Sequence, residues 1–378
     1  MNTTRRVCTV LVLLLPLLAG RSPAAEAEQE TRRRLDFTTA QMEREIENSG
    51  LLYAEPALDA YLQSVLDRLF PDKAGQLQVR VLRETDFNAF ALANGHIYFN
   101  TGTLLRLDDE AGLASILGHE GTHVTEDHVF RFLQTVKRGS VVTNAVDIVG
   151  WSVGLPVVGA LLGVSTMMGF SREHERDADR GGFRRMLDAG YDPRAGGETF
   201  ARLARELRAR KIRQAPFFFA SHPAVMDRVA SFEKLSREAA VQGDRHRGEY
   251  AARTLAVRLD VLASIHQAGD TKLLLFLLDQ ERMVDSLPPE SRYYLAEALR
   301  IRNADGDAAR ALGEYERALG EAPDFAPTHF ALGALYLRAG QRAGARARFE
   351  RYLALAPDGN QAAYARQYLN QLARESPP

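Results

Sequence analysis

The chain has 378 residues and a formal net charge of −1, with 46% hydrophobic and 26% charged residues. These values are typical of a soluble globular protein that is long enough for two domains. The charges are well mixed and form no basic stripe, so a nucleic-acid-binding protein is not expected. The only cysteine, Cys8, excludes an internal disulfide, so the fold must depend on packing or on a bound metal.

Residues 1–27 have the composition of a signal peptide. Arg5 and Arg6 precede an apolar run over residues 10–18, and an A-x-A cleavage site ends at Ala27. The apolar run is short for a membrane span, which favours cleavage over a membrane anchor. The expected location is the periplasm of a bacterial envelope, where the protein could also associate with the membrane surface.

Residues 28–245 are expected to form an α+β domain that is mostly helical and contains a small sheet. Apolar periodicity predicts helices at 40–46, 57–70, 109–132 and 172–189, and strands at 76–82 and 96–100. The strand at 96–100 could pair with an extended substrate, or it could be an ordinary sheet edge.

The helix at 109–132 carries the motif His119-Glu120-Gly121-Thr122-His123. Residues four apart on a helix lie about 40° from each other, so the imidazoles of His119 and His123 can share a metal. Glu120 lies next to that face and can reach a water molecule beside the metal. In a continuous helix His128 would point about 140° away from His123, so it is not assigned to the metal.

A catalytic zinc needs a third protein ligand and an open position. The acidic cluster at 173–179 places Glu175 and Asp179 four residues apart on one helical face. This pair suits one carboxylate that binds the metal and one that orients a ligand imidazole. Gluzincin peptidases use this arrangement, whereas His174 is interpreted as a packing or solvated residue.

Over residues 40–234 the chain resembles the M48 family of metallopeptidases. The resemblance depends on five motifs in order: Asn88-Ala89-Phe90-Ala91-Leu92, Tyr98-x-Asn100-Thr101-Gly102, Gly118-HExxH-Val124, Ser171-Arg172-x-x-Glu175-x-x-Ala178-Asp179-Arg180 and His222-Pro223-x-x-x-x-Arg228. It implies a gluzincin-type peptidase domain with one zinc ion per chain.

The same resemblance assigns roles to individual residues. It implies that His119, His123 and Glu175 bind the zinc and that Glu120 is the general base. It also implies that Asp179 does not bind the zinc but orients a ligand imidazole. It also places His222 near the zinc, where this residue could stabilise the oxyanion or cap the metal in a resting state.

The stretch from Ile148 to Ser171 contains no charged residue and is long enough to span a bilayer. A single span is excluded, because Glu175 must reach a metal that is held on the same side of the membrane. Two interpretations remain. A buried or lid-like hairpin over the active site is preferred, and a surface that contacts the membrane is the alternative.

Residues 246–378 are expected to form an all-α solenoid of repeats. Residues 292–325 and 326–359 align with a period of 34, which is that of the tetratricopeptide repeat, and a degenerate unit precedes them at about 258–291. Residues 361–373 are typical of a capping helix. Such arrays usually bind a protein partner, and His266 and His329 within this one are expected to be structural.

The expected function is a zinc-dependent metalloendopeptidase whose polypeptide substrates are misfolded or stalled envelope proteins, with the repeats docking a protein partner. The alternative is a periplasmic chaperone or scaffold with a vestigial protease site. The intact motif and the acidic pair favour the enzyme, because a decayed site usually loses a ligand or the base.

Overall fold

The computed structural model describes residues 23–139, 170–210, 225–239 and 241–374. Its N-terminal elements are α1 (Pro23–Asn48), α2 (Pro56–Leu69), β1 (Gln78–Leu82), β2 (Ala89–Ala91), β3 (His96–Asn100), α3 (Thr101–Arg106), α4 (Glu110–Thr125), α5 (His128–Gly139), α6 (Arg172–Asp188), α7 (Arg194–Arg210) and α8 (Val225–Ala239). The domain is mostly helical with a small sheet, which confirms the predicted α+β class.

Two sequence predictions concern segments that lie mainly outside these described residues. They are the signal peptide at 1–27 and the uncharged stretch at 148–171, of which only the ends belong to the described ranges. Cleavage after Ala27 would fall near the start of α1, which begins at Pro23. In the described part of the chain, no helix has the length and the apolar character needed to cross a membrane.

The sheet has the strand order β1-β3-β2. Strand β3 pairs in parallel with β1, from Gln78↔His96 onward, and antiparallel with β2, where Phe90 faces Tyr98. Both edges of β3 are therefore used, so both alternatives for this strand are wrong: it is neither open to an extended substrate nor an ordinary sheet edge. Within the described residues β1 and β2 are the two edge strands, and β2 lies against α4.

The helix predicted at 109–132 is broken in the structure. Helix α4 ends at Thr125 and α5 begins at His128, because Asp127 adopts a left-handed conformation with φ of 58°. Arg32 of α1 braces this turn, with its guanidinium 2.8 Å from the Asp127 carboxylate and 3.8 Å from the centre of the Phe130 ring. The apolar spacing continues across the break, so the periodicity alone could not show it.

Helices α4 and α6 cross at near backbone contact. A Cβ atom on Gly182 would lie 2.8 Å from the carbonyl carbon of Gly118 and from the backbone nitrogen of His119. A second close pair is Gly181 and Thr122, where the added Cβ would lie 2.5 Å from the threonine methyl group. The crossing brings the α6 carboxylates to the His119 face of α4.

The C-terminal elements are all helical in the described chain: α9 (Arg247–Arg253), α10 (Leu255–Gln267), α11 (Thr271–Leu275), α12 (Ser291–Arg302), α13 (Asp307–Glu321), α14 (Ala326–Arg338), α15 (Arg342–Leu355) and α16 (Ala362–Arg374). The pairs α12–α13 and α14–α15 occupy the two predicted 34-residue repeats. The buried ring of Phe349 fills the groove that Gly333 opens, because a Cβ on this glycine would lie 2.8 Å from the ring.

The hydrophobic core continues from the first part of the chain into the repeats. One buried cluster extends from Tyr53 to Leu332. Polar contacts cross the same interface, since the Tyr250 hydroxyl donates to the Leu104 carbonyl at 2.6 Å and Arg258 donates to the Leu107 carbonyl at 3.1 Å. The helices that follow residue 245 therefore help to support α3, directly before the helix that carries the motif.

Candidate metal centre

Helix α4 is fixed at its N-terminus by side chains. Asp109 is the N-cap and accepts a hydrogen bond from the Gly112 backbone nitrogen at 2.9 Å. Glu110, in the first turn, accepts from the hydroxyls of Tyr61 and Tyr191, each at 2.7 Å, and from Arg68 at 2.7 Å. These contacts hold a buried helix in place, so its histidines occupy defined positions.

The structure brings His119, His123 and Glu175 together in the buried interior. The Nε2 atoms of the two histidines lie 3.0 Å apart. The Glu175 carboxylate oxygens lie 3.4 Å from Nε2 of His123 and 3.8 Å from Nε2 of His119. Among the described residues, this is the group of three ligating side chains compact enough to hold a metal ion.

The donor set and its spacing suit a tetrahedral metal. Zinc binds imidazole nitrogens and carboxylate oxygens at roughly 2.0–2.2 Å, so ligand atoms around a tetrahedral ion are separated by roughly 3.3–3.5 Å. The three separations measured here, 3.0, 3.4 and 3.8 Å, lie around that value. Among the described residues, these three side chains would leave one position of a tetrahedral ion for water or substrate, as a catalytic site requires.

Asp179 holds the His119 ring from the side away from the ligand cluster. Its Oδ1 atom lies 3.0 Å from Nδ1 of His119, and both side chains are buried. A carboxylate in this place accepts a hydrogen bond from Nδ1, which leaves the Nε2 lone pair available to a metal ion. Ser171 caps α6 by accepting from the His174 backbone nitrogen at 3.2 Å, and so fixes the helix that carries Asp179 and Glu175.

His128 lies against the group formed by His119, His123 and Glu175, although in a continuous helix it would point away from His123. It is fully buried, and its Nδ1 lies 3.0 Å from Nδ1 of His123. Its ring stacks on His174 with 4.6 Å between ring centres. Burial, together with His174 and Arg131, lowers the pKa of His128 to about 4. The break at Asp127 accounts for this position, because it turns α5 back toward α4.

The other predicted residues occupy distinct places. Glu120 is buried on α4 beside His119. His222 lies outside the described residues. His329 is buried, with its Nε2 2.8 Å from the Pro323 carbonyl, and His266 lies 3.9 Å from the Glu297 carboxylate. Both contacts are internal to the repeat region.

The glycines between the two helices have a role that the sequence motifs did not indicate. Gly118 and Gly182 permit the close crossing described above, and a larger residue at either position would separate His119 and His123 on α4 from Glu175 on α6. The available signal was the occurrence of glycines inside two otherwise regular helices, where they are unfavourable unless packing requires them.

Comparisons with known proteins agree with this architecture. Residues 56–236 match peptidase family M48, and residues 303–376 match the tetratricopeptide repeat. The chain is 27% identical over 207 residues to the putative beta-barrel assembly-enhancing protease of Vibrio cholerae, covering 52% of this chain and 42% of that protein. It is 27% identical over 200 residues to the beta-barrel assembly-enhancing protease of Escherichia coli, covering 50% and 40%.

A further relative is the mitochondrial metalloendopeptidase OMA1 of Schizosaccharomyces pombe. It is 28% identical over 169 residues, which are 44% of this chain and 48% of that protein. The chain thus spans less than half the length of each of these relatives.

Proposed function

Since the chain carries a peptidase family M48 domain followed by tetratricopeptide repeats, we propose that it is a zinc-dependent metalloendopeptidase. The observation that carries the proposal is the buried cluster of His119, His123 and Glu175, whose donor atoms are spaced for a tetrahedral ion. Glu120 follows His119 directly on the same helix and is buried.

Each residue has a defined part in the proposed hydrolysis. A zinc ion held by the three ligands would supply Lewis acidity, polarising the scissile carbonyl and acidifying a water molecule. Glu120 takes the proton from the attacking water and then delivers it to the leaving amine, as a general base and then acid. Asp179 keeps the His119 ring in the orientation and tautomer that direct Nε2 toward the metal.

The extended substrate is proposed to lie along β2. This strand pairs on one side with β3 and packs against α4, so its other side is the described sheet edge beside the catalytic helix. Backbone pairing with a sheet edge selects extended, unfolded segments with little sequence preference. Misfolded or stalled proteins expose such segments. His222 is proposed to act near the zinc, where it would stabilise the oxyanion or cap the metal.

The substrate class is proposed to be proteins of the cell envelope. Support comes from the predicted signal peptide at 1–27 and from relatives whose names refer to beta-barrel assembly. The protein would then act in the periplasm. The repeats would dock a protein partner, since stacked helix pairs form an extended curved surface.

The decisive experiment compares the wild-type protein with Glu120→Gln. The variant should retain one zinc ion per chain, because none of the proposed ligands is changed, and it should lose cleavage of an unfolded protein such as reduced casein by at least about 100-fold. Full activity in the variant would exclude the hydrolytic mechanism. A wild-type protein that binds no zinc and is indifferent to chelators would instead favour a chaperone or scaffold.

Docking by the repeats needs a separate test with a shortened chain. Removal of everything after residue 245 would remove the hydrogen bonds that Tyr250 and Arg258 donate to the carbonyls of Leu104 and Leu107. A cut after Phe325 instead removes α14 to α16, most of which pack in a hydrophobic cluster of their own. The shortened protein should keep zinc and casein cleavage but lose its envelope partner in affinity purification. A retained partner would place recognition elsewhere in the chain.

A further inference from the structure

The Nδ1 atoms of the two proposed histidine ligands, His119 and His123, contact different groups. Nδ1 of His119 faces the Asp179 carboxylate at 3.0 Å, whereas Nδ1 of His123 faces another imidazole, Nδ1 of His128, also at 3.0 Å. Both supporting side chains are buried. An imidazole in the place of the usual carboxylate or carbonyl acceptor is a property of this site that the proposed chemistry does not yet use.

Metal binding would fix the direction of the hydrogen bond between these two rings. When Nε2 of His123 gives its lone pair to a metal, the proton of that neutral ring must reside on Nδ1. His123 is then the donor, and Nδ1 of His128 must be the acceptor. His128 carries its own proton on Nε2, where the structure shows no hydrogen-bond partner within the described residues.

His128 is not placed to be a ligand itself. Its contact is with Nδ1 of His123, on the opposite side of that ring from Nε2, which faces Glu175.

We propose that His128 is a positioning residue that orients the ligand His123 by accepting a hydrogen bond from its Nδ1. The turn at Asp127 aims the side chain, and Arg32 braces that turn through its contacts with Asp127 and Phe130. Stacking on His174 supports one face of the His128 ring. The inference rests on the proposed metal binding by His123, but not on the hydrolytic activity.

The test measures zinc affinity in the full-length protein, by competition with a chelating dye, for four variants. His128→Phe keeps the ring and removes the acceptor, and it should weaken zinc binding about 10–100-fold. His128→Asn can place its amide oxygen where Nδ1 lies and should remain within about threefold of wild type, whereas His128→Gln places its oxygen where Nε2 lies and should resemble the phenylalanine variant. His174→Phe is the matched control, since it keeps the stacked ring without touching His123.

The cobalt-substituted proteins supply a spectroscopic readout. The visible absorption bands of Co²⁺ should change in His128→Phe and stay as in wild type in His128→Asn and His174→Phe, because they report ligand geometry. Wild-type zinc affinity in His128→Phe would overturn the proposal. Equal affinities of the asparagine and glutamine variants would overturn it too, even if the phenylalanine variant does not fold. If the wild-type protein itself had no zinc affinity, the proposed function would be contradicted as well. Failure of the His128 proposal alone and failure of the proposed function therefore give different results.

Discussion

The close crossing of α4 and α6 makes Gly182→Ala an informative perturbation. The added Cβ would lie 2.8 Å from backbone atoms of Gly118 and His119, and neither can rotate away as a side chain could. To reach ordinary van der Waals contact at 3.4 Å, the two helices must separate by about 0.6 Å. Glu175 and Asp179 are carried on the same helix as Gly182, so they would move relative to His119.

The expected magnitude follows from two opposing effects. Alanine favours the interior of a helix over glycine by about 0.5–1 kcal/mol, whereas overpacking of a well-packed interior costs about 1–3 kcal/mol. The net loss of unfolding free energy should be about 0–2.5 kcal/mol. Zinc sites tolerate deviations of only about 0.2 Å in ligand distance, so the affinity for zinc should fall at least about tenfold.

Urea unfolding of the metal-free protein and competition with a chelating dye measure these two quantities. The matched control is Gly313→Ala in the interior of α13, where a Cβ would meet nothing within 4 Å. This control should stabilise the protein by up to about 1 kcal/mol and leave zinc affinity unchanged. If Gly182→Ala behaves like the control in both assays, the close crossing does not position the ligands.

Three further predictions concern the carboxylates. Glu175→Ala should abolish stoichiometric zinc binding, whereas Glu173→Ala, which changes an exposed neighbour, should retain it; equal retention would show that the wrong carboxylate was chosen. Asp179→Ala should weaken zinc binding about 10–100-fold in the same dye competition, and unchanged affinity would contradict its orienting role. Arg106 donates two hydrogen bonds to Glu206, at 2.7 and 2.9 Å, and both are buried, so Glu206→Gln should cost about 3–5 kcal/mol in urea unfolding. Burial would raise the pKa of Glu206, but Arg106 and Arg210 outweigh burial and hold the pKa below its ordinary value of 4.5. The stabilisation is therefore complete above pH 4.5 and is lost as the pH falls through the lowered folded-state pKa, and Glu206→Gln, which has no carboxylate, should not show this pH dependence.

Much of the site could be read from local sequence. The spacing of His119 and His123 is a property of one helix turn, and the spacing of Glu175 and Asp179 is a property of another, so period and residue chemistry were sufficient to select them. The 34-residue period likewise specified helix pairs at 292–325 and 326–359, because each pair repeats the same small and aromatic positions. These predictions depend on contacts between residues that are close in the chain.

What only the tertiary structure decided depends on contacts between distant segments. The sequence could not show that β3 is the central strand, because pairing partners are chosen by packing of the whole sheet. It could not show that the helix breaks at Asp127, since apolar spacing continues on both sides of the break. The left-handed conformation of Asp127 places Nδ1 of His128 beside Nδ1 of His123, a contact that a continuous helix would not allow. Gly118 and Gly182 set the distance between the histidines on α4 and Glu175 on α6.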